Sequence, residues 1–125
     1  VIRTEASAGG FPLVLDEAMA VGGTDAGPDP YDLLCTALAG SVSMSLRKLA
    51  HEREWPLAEV TTRVVYRELP ATNDPHAPTD AFDVLVRLVG PELTEEHRAG
   101  LMEAVPLAPL HDTLRRTSEI TARLA

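Results

Sequence analysis

The fold is decided by the stretch Val21-Gly-Gly-Thr-Asp-Ala-Gly-Pro-Asp-Pro-Tyr-Asp-Leu-Leu34, which runs directly into Cys35-Thr-Ala-Leu-Ala-Gly-Ser-Val-Ser-Met-Ser-Leu46. The first part is rich in turn residues, and the second part is apolar on almost every side. Asp29 is a favourable N-cap, and Pro30 suits the first helical position, where its missing N–H costs nothing. Trp55-Pro56 forbids continuation, because the residue before a proline avoids helical angles. The stretch therefore predicts one long helix over residues 31–52.

This predicted helix needs to be enclosed. Its 22 residues form a rod of about 33 Å, whereas a compact chain of this length has a radius of gyration of only about 14 Å. Apolar residues surround the rod, namely Leu33, Leu34, Cys35, Ala37, Leu38, Ala39, Val42, Met44, Leu46 and Leu49. Because one sheet covers only one side of a helix, we expect a second subunit to cover the rest. The alternative is that later helices of the same chain cover it.

The composition indicates one globular domain over residues 1–125. The hydrophobic fraction is 45%, which allows a chain of this size to bury a core without disulfides. The formal net charge of -8 argues against a nucleic-acid partner, because binding to phosphates needs clustered Lys and Arg. No apolar run reaches the length of a membrane span, and no signal peptide is visible. We expect a cytoplasmic protein with no membrane partner, and further residues upstream because Val1 is not an initiator Met.

Cysteine and histidine usage argues against a metal centre. Cys35 is the single cysteine, so an internal disulfide and a cysteine-rich zinc cluster are excluded. His51, His76 and His97 are far apart in polar surroundings, and no pair has metal-ligand spacing. We interpret these three as surface residues and expect neither a metal nor a cofactor.

The rest of the chain alternates between strand and helix signals. Residues 60–67 and 82–88 have the period of two typical of half-buried strands, and the polar, proline-rich segment 70–79 predicts a hairpin loop between them. Apolar runs at 12–15 and 18–21 predict a small sheet segment before the glycines. Two short helices are predicted, one opening at residues 93–94 and ending at Pro106 and one starting at Pro109, followed by a final strand over 118–124. This order predicts an α+β fold.

The chain resembles the OsmC/Ohr family in the order of its predicted elements and in two sequence segments. These segments are Gly22-Gly-Thr-Asp-Ala-Gly-Pro-Asp-Pro-Tyr-Asp-Leu-Leu34 and Ala50-His-Glu-Arg-Glu-Trp-Pro-Leu57. The family consists of the osmotically inducible and organic-hydroperoxide-resistance proteins, and the likeness covers nearly the whole chain. It includes Pro109-Leu-His-Asp-Thr-Leu114 and Glu119-Ile-Thr-Ala-Arg-Leu124. The resemblance implies a swapped homodimer with two long helices at its centre and two mixed sheets wrapped around them.

Active family members carry two cysteines, one in the long helix and one before the proline of the short third helix. By resemblance, these positions fall on Ser41 and Ala108, so both sulfurs are absent. The family reaction needs a thiolate that becomes a sulfenic acid and is then condensed by a second thiol into a disulfide. A serine hydroxyl cannot follow this route. Ala108 is also a poor N-cap, which indicates either a vacated position or a tight fit that excludes a larger residue.

Other residues are weaker candidates for a site. The family's activating carboxylate maps to Tyr31 or Asp32, and His111 is expected near the same pocket as Ser41. Cys35 lies six residues before Ser41, about 120 degrees around the helix, and we interpret it as a core residue with a raised pKa. Ser41 with His111 and Asp112 has the residue types of a hydrolytic triad.

Adjacent residues on a helix diverge, however, so Asp112 is not expected to orient His111. No Gly-x-Ser-x-Gly motif surrounds Ser41. The sequence thus favours a homodimeric OsmC-like protein of the redox family that has lost thiol peroxidase activity and binds a small apolar ligand at the subunit interface. The alternatives are a hydroperoxide reductase that uses Cys35, another chemistry at Ser41, or a purely structural module.

Overall fold

Helices and antiparallel hairpins alternate along the chain, which confirms the predicted α+β class. The computed structural model describes residues 2–125. In chain order the elements are β1 (Thr4–Ala8), β2 (Phe11–Leu15), a 3-10 turn (Met19–Val21), α1 (Pro30–Glu52), β3 (Glu59–Glu68), β4 (Asp80–Val89), α2 (Glu95–Ala104), a second 3-10 turn (Val105–Leu107) and α3 (Pro109–Arg115).

The ends of α1 lie where the sequence predicts them. Asp29 is the N-cap, and its carboxylate accepts a hydrogen bond from the Asp32 amide at 2.8 Å. The Asp32 carboxylate accepts one from the Asp29 amide at 3.1 Å, which completes a capping box. At the other end, Trp55 donates its amide to the carbonyl of Ala50 at 2.8 Å, and the chain turns away from the helix.

The hairpin β3–β4 supplies the sheet that packs against α1. Its antiparallel register runs from Glu59 opposite Val89 to Glu68 opposite Asp80, and residues 70–79 form the predicted loop. The strand faces that point inward belong to the core, together with the buried face of α1 and parts of α2 and α3. The fully or nearly fully buried core side chains are Leu38, Val42, Leu46, Ala50, Leu93, Leu101, Val105 and Ala108.

Trp55 fixes α2 against the end of α1. Its ring packs against the core and stacks on the His97 imidazole with ring centroids 5.2 Å apart. The fit is close at Gly100, where an added Cβ would lie 2.6 Å from the Trp55 ring. His97 also accepts a hydrogen bond from the Thr94 amide at 3.2 Å. His97 is therefore a partly exposed residue that also packs and caps, whereas His51 and His76 are exposed.

A buried carboxylate organises the loop before α1. Asp16 is only 2% exposed and accepts hydrogen bonds from the amides of Glu17, Thr24 and Ala26 at 2.8, 3.0 and 3.1 Å, as well as from the Thr24 hydroxyl. The Thr24 hydroxyl, followed by these amides, lowers the pKa of Asp16 to about 2, although burial acts in the opposite direction. Residues 16–26 are thereby folded into a closed loop.

Three sequence expectations differ from the structure. Strand β1 is additional, and it pairs with β2 from Thr4 opposite Leu15 to Ala8 opposite Phe11. Residues 19–21 form a 3-10 turn instead of a strand, because Gly22 closes the turn with φ of 97° and donates its amide to the Met19 carbonyl. The final strand over 118–124 was predicted wrongly. Apolar and polar residues do alternate in this segment, but Ile120 and Leu124 are 89% and 100% exposed. The segment pairs with no strand in residues 2–125.

None of the helices in the described part of the chain is both long and apolar enough to cross a membrane.

Candidate functional site

Ser41 and the start of α3 form the junction at which the two positions of the family cysteines, Ser41 and Ala108, come together. Pro109 is the first helical residue of α3, and Ala108 occupies the N-cap position without a side-chain oxygen. The amide of Leu110 would therefore be one of the orphan donors at the helix start. It donates instead to the Ser41 hydroxyl oxygen of α1 at 3.2 Å. Ser41 thus supplies the cap that Ala108 cannot.

Ala108 is fully buried at this junction, with 0% exposure. The Ser41 hydroxyl caps the start of α3, so the helix needs no side-chain oxygen at residue 108. Ser41 is itself partly buried, so its hydroxyl and the start of α3 are fixed relative to each other.

An apolar cavity of about 280 Å³ opens beside the junction, between α1, β4 and α3; we call it the α1–β4–α3 cavity. Its apolar walls are formed by Leu38, Phe82, Val84 and Leu114. Asp80, His111 and Arg115 supply its polar groups. Cavities with apolar walls and a few polar groups are the usual form of small-molecule sites.

His111 is the polar group of this cavity whose hydrogen bonding is incomplete. Its Nδ1 is shielded from solvent and has no hydrogen-bond partner in the described chain. Buried polar atoms without partners are uncommon in folded proteins and call for an explanation. His111 directly follows Leu110, whose amide donates to the Ser41 hydroxyl, but Ser41 is not among the residues that line the cavity.

Tyr31, Asp32 and Cys35 lie elsewhere, in a groove of about 610 Å³ between the first half of α1 and β3, which we call the α1–β3 groove. The Tyr31 ring stacks on the Tyr66 ring with centroids 4.5 Å apart. Ten residues separate Tyr31 from Ser41, which is about 15 Å along a helix. The structure therefore divides the candidates between two places.

Cys35 is partly exposed in the wall of this groove and is not part of the hydrophobic core. Burial raises the pKa of its thiol, and the nearby negative charge of Asp32 raises it further. The reactive form of a cysteine is the thiolate, which a raised pKa makes scarce at neutral pH. The predicted direction of the shift agrees with the structure. The predicted core location is wrong, because Cys35 lines the open groove between α1 and β3.

A model of the family described as OsmC-like protein matches residues 23–123, which is most of the chain. The chain belongs to the OsmC-like family. None of the curated proteins matches it significantly in sequence.

Solved OsmC-like structures share the fold. The OsmC like protein of Mycoplasma pneumoniae is 16% identical, with a TM-score of 0.73 over 90% of this chain and 79% of that chain. The organic hydroperoxide resistance protein OsmC of Legionella pneumophila is 14% identical, with a TM-score of 0.63 over 91% of this chain and 88% of that chain. An OsmC-like hydroperoxide resistance protein of Jannaschia sp. CCS1 is 25% identical, with a TM-score of 0.57 over 92% and 74%.

Within this OsmC-like chain, the carboxylates near the candidate residues already have partners. The Asp32 carboxylate accepts a hydrogen bond from the Asp29 amide in the capping box of α1. Asp112 is paired with Arg115 at 2.8 Å and with Arg116 at 3.0 Å. Neither His111 nitrogen is bonded to Asp112 in the part of the chain described, which agrees with the expectation that adjacent helical side chains diverge. A Ser-His-Asp arrangement is thus not formed.

The sequence alone did not reveal the contribution of the β3–β4 hairpin to the cavity. Tyr66 and Phe82 are opposite each other in the register, with ring centroids 5.3 Å apart, and the Tyr66 hydroxyl donates to the Asp80 carboxylate. This hydrogen bond raises the pKa of Tyr66 and lowers that of Asp80, which also accepts from the Thr79 hydroxyl at 2.8 Å. Counting residues back from the loop 70–79 along both predicted strands would have placed Tyr66 opposite Phe82. No sequence signal indicated that Asp80 lines the cavity.

Proposed function

We propose that this OsmC-like protein has lost the thiol peroxidase reaction and binds a small apolar molecule in the α1–β4–α3 cavity. The observation that carries the proposal is the hydrogen bond from the Leu110 amide to the Ser41 hydroxyl, beside the fully buried Ala108. By family resemblance, the two redox cysteines belong at these two positions. The Ser41 hydroxyl, which caps α3, and the Ala108 methyl group occupy the positions of the two thiols.

The chemistry of the two residues supports this loss. The Ser41 hydroxyl oxygen accepts a hydrogen bond from the Leu110 amide through one of its lone pairs. This hydrogen bond further reduces the electron density that the oxygen could use to attack a peroxide. Its hydroxyl stays protonated at neutral pH, and serine has no reversible oxidised form that corresponds to a sulfenic acid. Ala108 offers no atom that could resolve an oxidised intermediate.

The cavity supports the ligand-binding part. An engineered apolar cavity of about 150 Å³ holds a benzene molecule, so the α1–β4–α3 cavity, at about 280 Å³, admits a body about twice that size. Its apolar walls favour the transfer of such a body from water. Asp80, His111 and Arg115 in its lining offer the few polar groups by which such a site orients a ligand.

We further propose that the protein is a homodimer, in which a second copy covers part of α1 and contacts this site. Met44 is an apolar residue in the middle of α1, and its side chain is 74% exposed. The hairpin β1–β2 and the hairpin β3–β4 form separate two-stranded sheets within residues 2–125, so each leaves unpaired strand edges. Such edges commonly pair with another chain, as a swapped dimer requires.

A peroxide-consumption assay tests the loss of activity. Wild-type protein is incubated with cumene hydroperoxide and dithiothreitol beside the Cys35→Ala and Ser41→Ala variants. We expect all three to consume peroxide at the rate of the buffer with reductant. Turnover that disappears in Cys35→Ala would instead support a reductase that uses this thiol, and turnover that disappears in Ser41→Ala would support chemistry at the hydroxyl.

The double variant Ser41→Cys/Ala108→Cys is the positive control. If the geometry of the family site is intact, this variant gains dithiol-dependent peroxide turnover, and the single variants do not. A gain shows that wild type lacks activity because it lacks the sulfurs. Catalytic turnover by the wild-type protein itself would refute the proposal.

A further inference from the structure

We propose that the ligand of the α1–β4–α3 cavity is an amine, with an ammonium group at Asp80 and an apolar body against the cavity walls. This inference rests on the proposed ligand binding in the same cavity, and it adds the charge and chemical class of the ligand.

Asp80 is the charge in the cavity lining that has no oppositely charged partner. Its two oxygens accept hydrogen bonds from the hydroxyls of Tyr66 and Thr79, both of which are uncharged donors. These bonds hold the pKa of Asp80 below its usual range, so the carboxylate is ionised at neutral pH. Within residues 2–125, no Lys, Arg or His nitrogen forms a salt bridge with it.

The cation in the lining, Arg115, already has a carboxylate partner. The Arg115 guanidinium lies 2.8 Å from the Asp112 carboxylate, which Arg116 also contacts. A ligand carboxylate would have to compete with Asp112 for Arg115 and would also be repelled by Asp80. A ligand ammonium meets neither obstacle, since Asp80 is free to form an ion pair.

The walls next to Asp80 also suit an ammonium group. Phe82 follows Asp80 by two residues on β4 and lines the same cavity, and aromatic faces attract cations within about 6 Å. The lining also contains the aliphatic side chains of Leu38, Val84 and Leu114. A lining that combines an unpaired carboxylate with apolar side chains suits an amphipathic molecule with one charged end.

The charge of the whole molecule also favours a cationic ligand. The formal net charge of -8 attracts cations to the molecule.

A matched ligand series tests the inference. The probes are 3-phenylpropylamine, 3-phenylpropan-1-ol and 3-phenylpropanoate, which share one apolar body and differ in charge. Binding to the chain of residues 1–125 is measured by isothermal titration calorimetry at neutral pH and low salt. We expect the amine to bind about tenfold or more tightly than the alcohol, and the carboxylate to bind most weakly.

Two carboxylate variants locate the effect. Asp80→Asn removes the charge but keeps an oxygen that can accept the Tyr66 hydroxyl, and we expect it to reduce the amine's advantage over the alcohol to about twofold or less. Asp83→Asn is the matched control on the same strand, because Asp83 is exposed and paired with Arg67 at 2.7 Å outside the cavity. It should leave the advantage unchanged. Unaltered binding of the alcohol by Asp80→Asn shows that the variant is folded.

The outcomes separate this inference from the proposed function. If the alcohol binds as tightly as the amine, the cavity is an apolar site and the inference of an amine is wrong. If the carboxylate binds best and Arg115→Gln abolishes its binding, the site takes anions and the inference is likewise overturned. If none of the three probes binds, both the inference and the ligand-binding part of the proposed function fail.

Discussion

At the scale of single residues, Asp16 shows how one buried carboxylate can shape the approach to a long helix. Its oxygens accept the amides of Glu17, Thr24 and Ala26 and the hydroxyl of Thr24. Each of these donors would otherwise need water or another acceptor. Because residues 16–26 close on Asp16, the chain reaches Asp29 in a fixed position from which α1 can start.

Replacing Asp16 by Asn should destabilise the protein in a pH-dependent manner. The folded pKa of about 2 lies below the ordinary value of 3.8, so the stabilisation by the charge is fully present above about pH 4 and is lost as the pH falls towards 2. At pH 7 we expect the Asp16→Asn midpoint temperature to be lower than that of wild type by roughly 5 °C or more. The gap should narrow between pH 4 and pH 2, where wild type also loses the charge.

Asp25→Asn is the matched control for this experiment, because Asp25 lies in the same loop and is exposed. Differential scanning calorimetry at several pH values measures all three proteins. A gap between wild type and Asp16→Asn that stays constant down to pH 2, or one that Asp25→Asn reproduces, would contradict the assigned role of the Asp16 charge.

At the scale of elements, the sequence predicts those structures whose signals are local. The start of α1 follows from the oxygen of Asp29 and the fixed φ of Pro30, and its end follows from Trp55-Pro56. Strands β3 and β4 follow from their period of two. The segment 118–124 has the same period but is not a strand, because a strand also needs a hydrogen-bonding neighbour and the described chain offers it none.

The cavity and the cap of α3 could not be predicted in this way. The contact between Ser41 and Leu110 joins residues that are 69 positions apart, and it depends on how α1 and α3 pack. The sequence indicated that Ala108 was a poor cap but could not identify the oxygen that replaces it. The position of Asp80 in the cavity lining depends on the register between β3 and β4. This register is likewise a property of two paired elements and not of one local sequence.

The cap supplied by one helix to another leads to a stability prediction. Ser41→Ala removes the acceptor of the Leu110 amide, and we expect a loss of about 1–2 kcal/mol in the free energy of unfolding. Ser45→Ala is the matched control, because Ser45 is also partly buried on α1 and should change stability by about 0.5 kcal/mol or less. Urea denaturation of the two variants and wild type measures the difference.

Amide hydrogen exchange gives the location of this effect. In Ser41→Ala, the first turn of α3 should lose protection while the hairpin β3–β4 keeps it, since only α3 depends on the Ser41 oxygen. Equal effects of the Ser41→Ala and Ser45→Ala substitutions on unfolding would show that the hydroxyl does not act as a cap.

At the scale of the whole molecule, the exposed face of α1 is the clearest sign that a single chain is incomplete. Ala37, Gly40 and Met44 share this face at helical spacing, and Met44 is 74% exposed. A Cβ added to Gly40 would meet no atom within 4 Å in residues 2–125 apart from nearby backbone of its own helix. A glycine inside a helix costs about 1 kcal/mol relative to alanine, and the close approach of a second helix would account for its presence.

A charge placed on this face should therefore dissociate the proposed homodimer. We expect Met44→Glu to raise the dimer dissociation constant by about tenfold or more, because a carboxylate would be buried without a partner at the subunit contact. Met102→Glu is the matched control, since Met102 is 45% exposed on α2 and lies outside the α1 face. Sedimentation equilibrium over a range of protein concentrations measures both variants. A wild-type protein that sediments as a monomer throughout, or a Met44→Glu variant that dimerises as wild type does, would mean that the chain's own elements must enclose α1 in another way.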